Sequence, residues 1–492
     1  MTATRPRPIV PLRRRIAAVV LLGTASVVAV AVVYVQADVS TVGRLSFDNP
    51  VNIPDLAEGE PSPDGSIRTF ELDVQTGFTR LIHDTESETW GVNGAHLGPT
   101  IRVRRGEKVE MRVTNNLPET TTMHWHGMHL PAYADGGPHQ PIGEGRTWSP
   151  SWIIDQPAAT LWYHPHPHGA TERHVYRGVA GMLIIDDDID VELPEAYGID
   201  DIPLIIQDIR VDNGRLSESD PIADPIGRLG DTILVNGTHD PHLNITSDRT
   251  RLRLLNASGA RTYDFMFDDN RSFQLIGTDG GLLNQPVDLQ NIQLSPGERA
   301  EIVVELKAGE TSVLRSVEPD LGVNRWDARF TGAHDSFDII ELRAATTLSR
   351  NDPIPNRLAP EPIEQPDVDN AAIRQFELSG IEINGQRMDM SRIDFRIELD
   401  TTEVWQLTNP TGTPHNFHVH DTRFTVLDID GDPPPPTWQG WKDTIYVPPG
   451  TTVRIAVRFT DYTDPTLPYM FHCHILRHED QGMMGQFVVL EP

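Results

Sequence analysis

Four short stretches of the chain concentrate residues able to hold a metal. His124-Trp125-His126 is the first and His164-Pro165-His166-Pro167-His168 the second. His415-Asn416-Phe417-His418-Val419-His420 is the third. His472-Cys473-His474 is the fourth, followed by His478 and Met483. Counting His478, they hold eleven of the 19 histidines and the only cysteine. One His-x-His pair is readily explained as surface or core; four in one chain are not. Imidazole and thiolate suit zinc and copper alike.

The spacing carries geometry. On a strand, residues i and i+2 face one way and i+1 the other. Each His-x-His therefore presents two rings to one side, and four pairs supply eight nitrogens. Cys473 must point away from His472 and His474, toward a separate site. His415 lies three residues before His418, so parity places it on the side of Cys473. One Cys, two His and a thioether form the blue-copper set. Cys473, His415, His478 and Met483 supply it. Eight further histidines beside that set favour copper over zinc.

Strands must position these groups. Short β-rich segments recur between Gly, Pro, Asn and Asp, and long helical periodicity is missing. Examples are Thr100–Val113, Ile202–Val211, Ala300–Leu306, Val453–Phe459 and Gly485–Leu490. Acidic or proline-rich joints divide the chain into β-sandwiches at 46–190, 191–345 and 373–492, with a linker at 346–372. The first and third share a layout, each with one histidine cluster early and another near its end. His239, His242 and His334 of the middle segment are widely placed and read as surface or structural residues.

In order and spacing, the four clusters closely resemble the multicopper oxidases, nearest to the bacterial three-domain branch of laccases and cuprous oxidases. The resemblance runs from about residue 46 to the end. It includes Asn93-Gly94, Gly98-Pro99-Thr100, Asp135-Gly136-Gly137, Asp155-Gln156-Pro157, Gly440-Trp441-Lys442-Asp443 and Glu479-Asp480 with Gly482-Met483-Met484. It implies an all-β chain of three cupredoxin-like Greek-key β-sandwich domains and four copper ions. The type 1 copper would take Cys473, His415, His478 and, axially, Met483. The type 2 copper would take His124 and His418. One type 3 copper would take His126, His164 and His474; the other, His166, His420 and His472. His168 is a neighbour rather than a ligand. Asp135 and Glu479 match acidic positions that donate protons near the cluster; otherwise Asp135 only makes a turn and Glu479 is a solvated acid.

The implied reaction couples four one-electron oxidations, received through Cys473, to reduction of dioxygen to two waters. A laccase-like enzyme acting on phenols or aromatic amines is the first expectation. The 11 methionines are scattered, none lies between His420 and Asp443, and position 411 is Thr411 where cuprous oxidases carry an acid. Pro433–Pro436, Trp438 and Trp441 are candidates for an aromatic rim over the type 1 site, although Trp441 equally suits a packed core. Oxidation of a metal ion (cuprous, ferrous or manganous) is the second reading. A copper-free structural protein of the same fold, as found in bacterial cell division, requires missing ligands, and none is missing.

Composition bounds the rest. A chain of 492 residues with 40 prolines, 38 glycines and one cysteine cannot be a disulfide scaffold. Its 71 acids against 41 bases give a charge of -30, which argues against nucleic-acid binding. That charge would attract cations, and it also simply keeps an exported chain soluble. Arg5, Arg7, Arg13, Arg14 and Arg15 precede an uncharged stretch, Ile16 to Val35. Residues 1–45 thus read as an export signal or an N-terminal membrane anchor through residues 16–35. Either places the remainder outside the cytoplasm: periplasmic, cell-surface or secreted.

Overall fold

The computed structural model describes residues 38–82, 85–188, 191–219, 226–359, 362–363 and 366–492. The expected leader or anchor over 16–35 lies outside them. Among the described residues no helix is long and apolar enough to cross a membrane.

The described residues form three cupredoxin-like β-sandwiches, and among them only two short α-helices occur, Thr171–Tyr176 and Leu476–Asp480. Strand alternation builds the layers. In Lys108–Asn116, Val109, Met111, Val113 and Asn115 point inward while the intervening residues face outward. Buried Asn115 donates to the carbonyls of Glu119 and Ile142, so it carries no unsatisfied amide. In Thr452–Arg458 the inward residues are Val453, Ile455 and Val457. Behind Cys473, an aromatic cluster of Phe376, Trp405, Phe417, Phe471 and Phe487 fills the third core.

The first and third domains repeat one sheet. In the first, the order is Ile101–Arg104, Gly181–Asp186, Ala159–His164 and His124–His126. In the third it is Phe395–Glu398, Met484–Leu490, Tyr469–His472 and His415–Val419, with Thr444–Val447 added at the edge. In both, the outermost strand runs parallel to its neighbour and the next pairings are antiparallel. This register sets His124 opposite His164, and His418 opposite His472.

The middle sandwich gathers more chain than 191–345. Asn49–Pro50 pairs in parallel with Pro241–His242, and Ser40 bridges Ser336. Val39, Val51 and Ile53 pack against the middle core, not the first. Strand Phe337–Ser349 runs past 345, and Ile354 and Leu358 are buried in the same core. Much of the proline-rich stretch is therefore a strap lying on the second domain. Proline suits it, because a strap needs fixed extended backbone without ladder N–H groups.

Candidate metal centre

The two matching sheets meet with their histidine strands face to face. His126 stacks on His418 with ring centroids 3.7 Å apart, and His124 stacks on His420 at 3.8 Å. His164, His166, His472 and His474 close the same cavity: His474 lies 4.9 Å from His126 and 5.3 Å from His164, centroid to centroid. His166 Nε2 and His420 Nε2 approach His472 Nε2 to 3.1 and 3.3 Å. His124, His126 and His164 present ligand atoms within 4.8 Å of one another, as do His166, His420 and His472. All eight rings are buried.

Cys473 stands apart, as parity requires. It is buried with His415 Nδ1 at 3.8 Å and His478 Nδ1 at 3.6 Å from its sulfur. These three also present ligand atoms within 4.8 Å of one another. Met483 is buried in the same core; its carbonyl accepts from the Cys473 N–H, and its own N–H donates to the His478 carbonyl. His168, by contrast, is exposed. His242 bonds the Phe47 carbonyl and His334 contacts Glu318, both away from the clusters.

Electrostatics fits the donor set to metals. Burial holds His126, His164, His166, His415, His418, His420 and His474 well below the usual imidazole range. Burial likewise takes His472 down to about 3 and pushes the Cys473 thiol up to about 12. The rings are neutral, with lone pairs free to ligate. Several nitrogens have no hydrogen-bond partner: His124 Nε2, His418 Nε2, His415 Nε2 and both nitrogens of His474. Orphaned buried polar atoms cost stability and need a reason. His124 and His418 each anchor the other nitrogen on a carbonyl, Asp135 O and Asp443 O, both at 2.9 Å. That arrangement fixes the ring and aims the free Nε2 inward, as metal-binding histidines require.

The acidic candidates sit at this cavity. Asp135 is buried, and its carboxylate meets His420 Nδ1 at 2.8 Å. Glu479 is buried between two rings, 3.3 Å from His166 Nδ1 and 3.3 Å from His472 Nδ1. Neither contact is aligned as a hydrogen bond, so both carboxylate oxygens lack a donor. Burial, then neighbouring Asp480, pushes the Glu479 carboxyl well above its usual range. Glu479 is therefore not a solvated acid.

Other residues at the site had no assigned role in the sequence. Asn416 Oδ1 accepts from the Cys473 thiol and the His474 N–H, while its amide bonds Ser295 and Pro296 of the middle domain. Asp480 accepts from the N–H groups of Thr171 and Glu172, tying the helix after the second cluster to the helix after the fourth. Asp443 Oδ1 meets His126 Nε2 at 3.0 Å. Asp443 was visible only as part of Gly440-Trp441-Lys442-Asp443. Trp441 departs from the expected rim. It packs against Gly280 under Arg423, and its carbonyl is bonded by Gly280 and Thr278 of the middle domain. Trp438 lies on the seam with Leu321, Ala328 and Ala333.

Comparison with known proteins gives the family. Curated relatives include the multicopper oxidase mco of Staphylococcus haemolyticus, 37% identical over 90% of this chain and 92% of the relative. The cell division protein FtsP of Xenorhabdus nematophila is 37% identical over 85% and 88%. Among solved structures, a laccase from Pediococcus acidilactici superposes with a TM-score of 0.81 at 34% identity, covering 90% of this chain and 94% of that one. A Campylobacter jejuni multicopper oxidase described as a metallo-oxidase gives 0.79 at 26%, covering 93% and 98%. Sequence models of the multicopper oxidases match residues 73–190, 212–313 and 358–492, one on each sandwich. With ligand-bearing sheets, domain order and relatives in agreement, the chain belongs to the multicopper oxidase family.

Proposed function

We propose that the chain is a laccase-like oxidase holding four copper ions, which couples four one-electron oxidations of small phenolic or aromatic donors to reduction of dioxygen to two waters. One observation carries this reading: two buried ligand sets lie on opposite sides of three consecutive residues, His472-Cys473-His474. The type 1 copper would be held by Cys473, His415 and His478, with Met483 buried beside them. The type 2 pair is His124 and His418. The type 3 sets are His126, His164, His474 and His166, His420, His472. When bound, copper supplies a one-electron acceptor at the first set and dioxygen reduction at the others.

The residues do the rest. Cys473 connects to either neighbouring ring through its side chain and a short piece of backbone, which gives electrons a covalent route. Burial excludes water from the eight-ring cavity. Reduction to two waters also consumes four protons. Asp135, on His420 Nδ1, and Glu479, between His166 and His472, are the carboxyl groups placed to deliver them.

Metal-ion oxidation has a supporting observation of its own. Met388, Asp389 and Met390 follow one another in a loop whose Met388 N–H bonds the carbonyl of Gly482, next to Met483. Met390 is exposed. A thioether and carboxylate beside the electron-entry site suit a cuprous ion. A copper-free structural role, suggested by the cell-division relatives, has no missing ligand to support it. Copper content and initial oxygen uptake with a methoxyphenol and with cuprous ion test all three readings. Near four coppers with faster uptake on the phenol supports the proposal. Faster uptake on cuprous ion replaces the substrate, and a chain that binds no copper overturns the enzyme reading.

A further inference from the structure

Among the described residues the middle domain contributes no candidate copper ligand, yet one of its side chains reaches the cluster. Arg299 is fully buried where all three domains meet. Its Nη1 and Nη2 donate to Asp443 Oδ1 and Oδ2 at 2.8 and 2.6 Å, a two-pronged grip on one carboxylate. Its Nε donates to the Thr160 carbonyl, on the strand that ends at His164. The two remaining N–H groups go to the carbonyls of Gly297 and Asp279 in its own domain. All five guanidinium donors are thus used, and the side chain has one orientation.

Asp443 passes that orientation on. Its Oδ1 accepts from Thr444 Oγ1 at 2.9 Å and meets His126 Nε2 at 3.0 Å. With Nε2 donating there, the lone pair of His126 sits on Nδ1, which faces His164 Nε2 at 3.4 Å. His124 and His418 have the opposite polarity, with Nδ1 anchored and Nε2 free. Gly127 makes room for this bracket: a Cβ there would lie 2.5 Å from Asp443 Oδ2 and 2.7 Å from Arg299 Nη2.

We infer that Arg299 is a positioning residue for the type 3 copper site: through Asp443 it sets the tautomer and ring plane of His126, making the middle domain a working part of the cluster. The inference rests on the copper reading above. Residues that orient metal-bound histidines typically change metal affinity by about 10- to 100-fold when replaced.

The test compares the wild-type holoprotein with Arg299→Met, Arg299→Lys and Lys442→Met. Copper per chain is followed during titration with a chelator, together with the near-ultraviolet band of a coupled copper pair and the melting temperature. Lys442 serves as control, because it pairs with Asp279 and Glu298 in the same buried seam but not with Asp443. Both Arg299 variants should release copper at about 10- to 100-fold lower chelator and lose the coupled-pair band, while the blue band of the Cys473 site stays. Lys442→Met should lower the melting temperature and keep all its copper. Should the Arg299 variants fail to fold, the isosteric Asp443→Asn tests the same link and should show the same selective loss. Wild-type copper retention in the Arg299 or Asp443 variants overturns the inference, as does equal copper loss in Lys442→Met. A wild-type chain that takes up no copper overturns the copper reading itself, and the inference with it.

Discussion

His126 of the first domain lies flat on His418 of the third, their planes 11° from parallel. Its counterpart is the stack of His124 on His420. Two aspartates strap these stacks crosswise. Asp135 holds His124 of its own domain through its backbone carbonyl and His420 of the other through its carboxylate. Asp443 does the reverse, holding His418 through its carbonyl and His126 through its carboxylate. The eight-ring site therefore needs both domains, and the two straps are not equivalent: Asp135 holds its ring at Nδ1, Asp443 holds its ring at Nε2, and Asp443 alone is gripped by Arg299.

That difference separates their roles. Asp135→Asn keeps an oxygen to accept from His420 but removes the exchangeable proton. Oxygen turnover should fall about 100-fold with the blue band unchanged. Glu479→Gln should act similarly. Stopped-flow reoxidation of the reduced enzyme measures both, and wild-type rates would remove these carboxyls from the proton path.

Cys473→Ser tests the separation of the two sites. The sulfur faces His415 and His478, whereas the eight-ring cavity draws on its neighbours. Copper per chain should drop from about four to about three, the blue band should vanish, and donor oxidation should stop. Loss of every copper instead would show that the sites assemble as one.

Spacing in the sequence was enough to separate Cys473 and His415 from the inward rings, although the strand Tyr469–His472 ends one residue before Cys473. The repeated sheet was legible in the same way, from a cluster early and another late in each outer domain. Contacts made between domains left no such trace. Arg299 is one arginine in a strand of ordinary composition, and only the packing of three domains brings it to Asp443. The segment around Asn49 was also opaque: a two-residue parallel pairing with Pro241 has no periodicity to read. Trp441 could satisfy a rim or a core equally well by type, and its half-buried contact with Gly280 and Thr278 of the middle domain has no signal in the sequence.

Gly136 tests how tightly the Asp135 turn is built. Its φ is +76°, and a Cβ would fall 1.7 Å from the Met123 carbonyl oxygen, beside His124. Both backbone strain and the clash oppose any side chain. Gly136→Ala should cost at least about 1–3 kcal/mol and lower copper content by shifting Asp135. Gly137→Ala meets Asp135 Oδ2 at 3.0 Å and no backbone so close, so it should be milder. Urea midpoints and copper analysis on the two variants check the order.

A second link between the outer domains makes stability depend on alkaline pH. His129 Nδ1 lies 2.9 Å from Asp421 Oδ1, and its Nε2 lies 3.1 Å from Asp461 Oδ2. Burial opposes the charged ring, but the Asp421 charge and the hydrogen bonds outweigh it and raise the histidine to about 9. An unfolded histidine ionises near 6.5, so folding favours the protonated form. This stabilisation is complete below about pH 6.5 and is lost as pH rises through about 9. Burial also raises the Asp421 carboxyl, which offsets part of the gain. The net contribution is therefore on the order of 1–2 kcal/mol rather than the full value of the histidine shift. Unfolding free energy from urea titrations should fall by that amount between neutral pH and pH values above 9. His129→Gln, which cannot carry the charge, should flatten this fall and leave the protein less stable at neutral pH. Parallel curves for the two proteins would assign the alkaline loss to other groups.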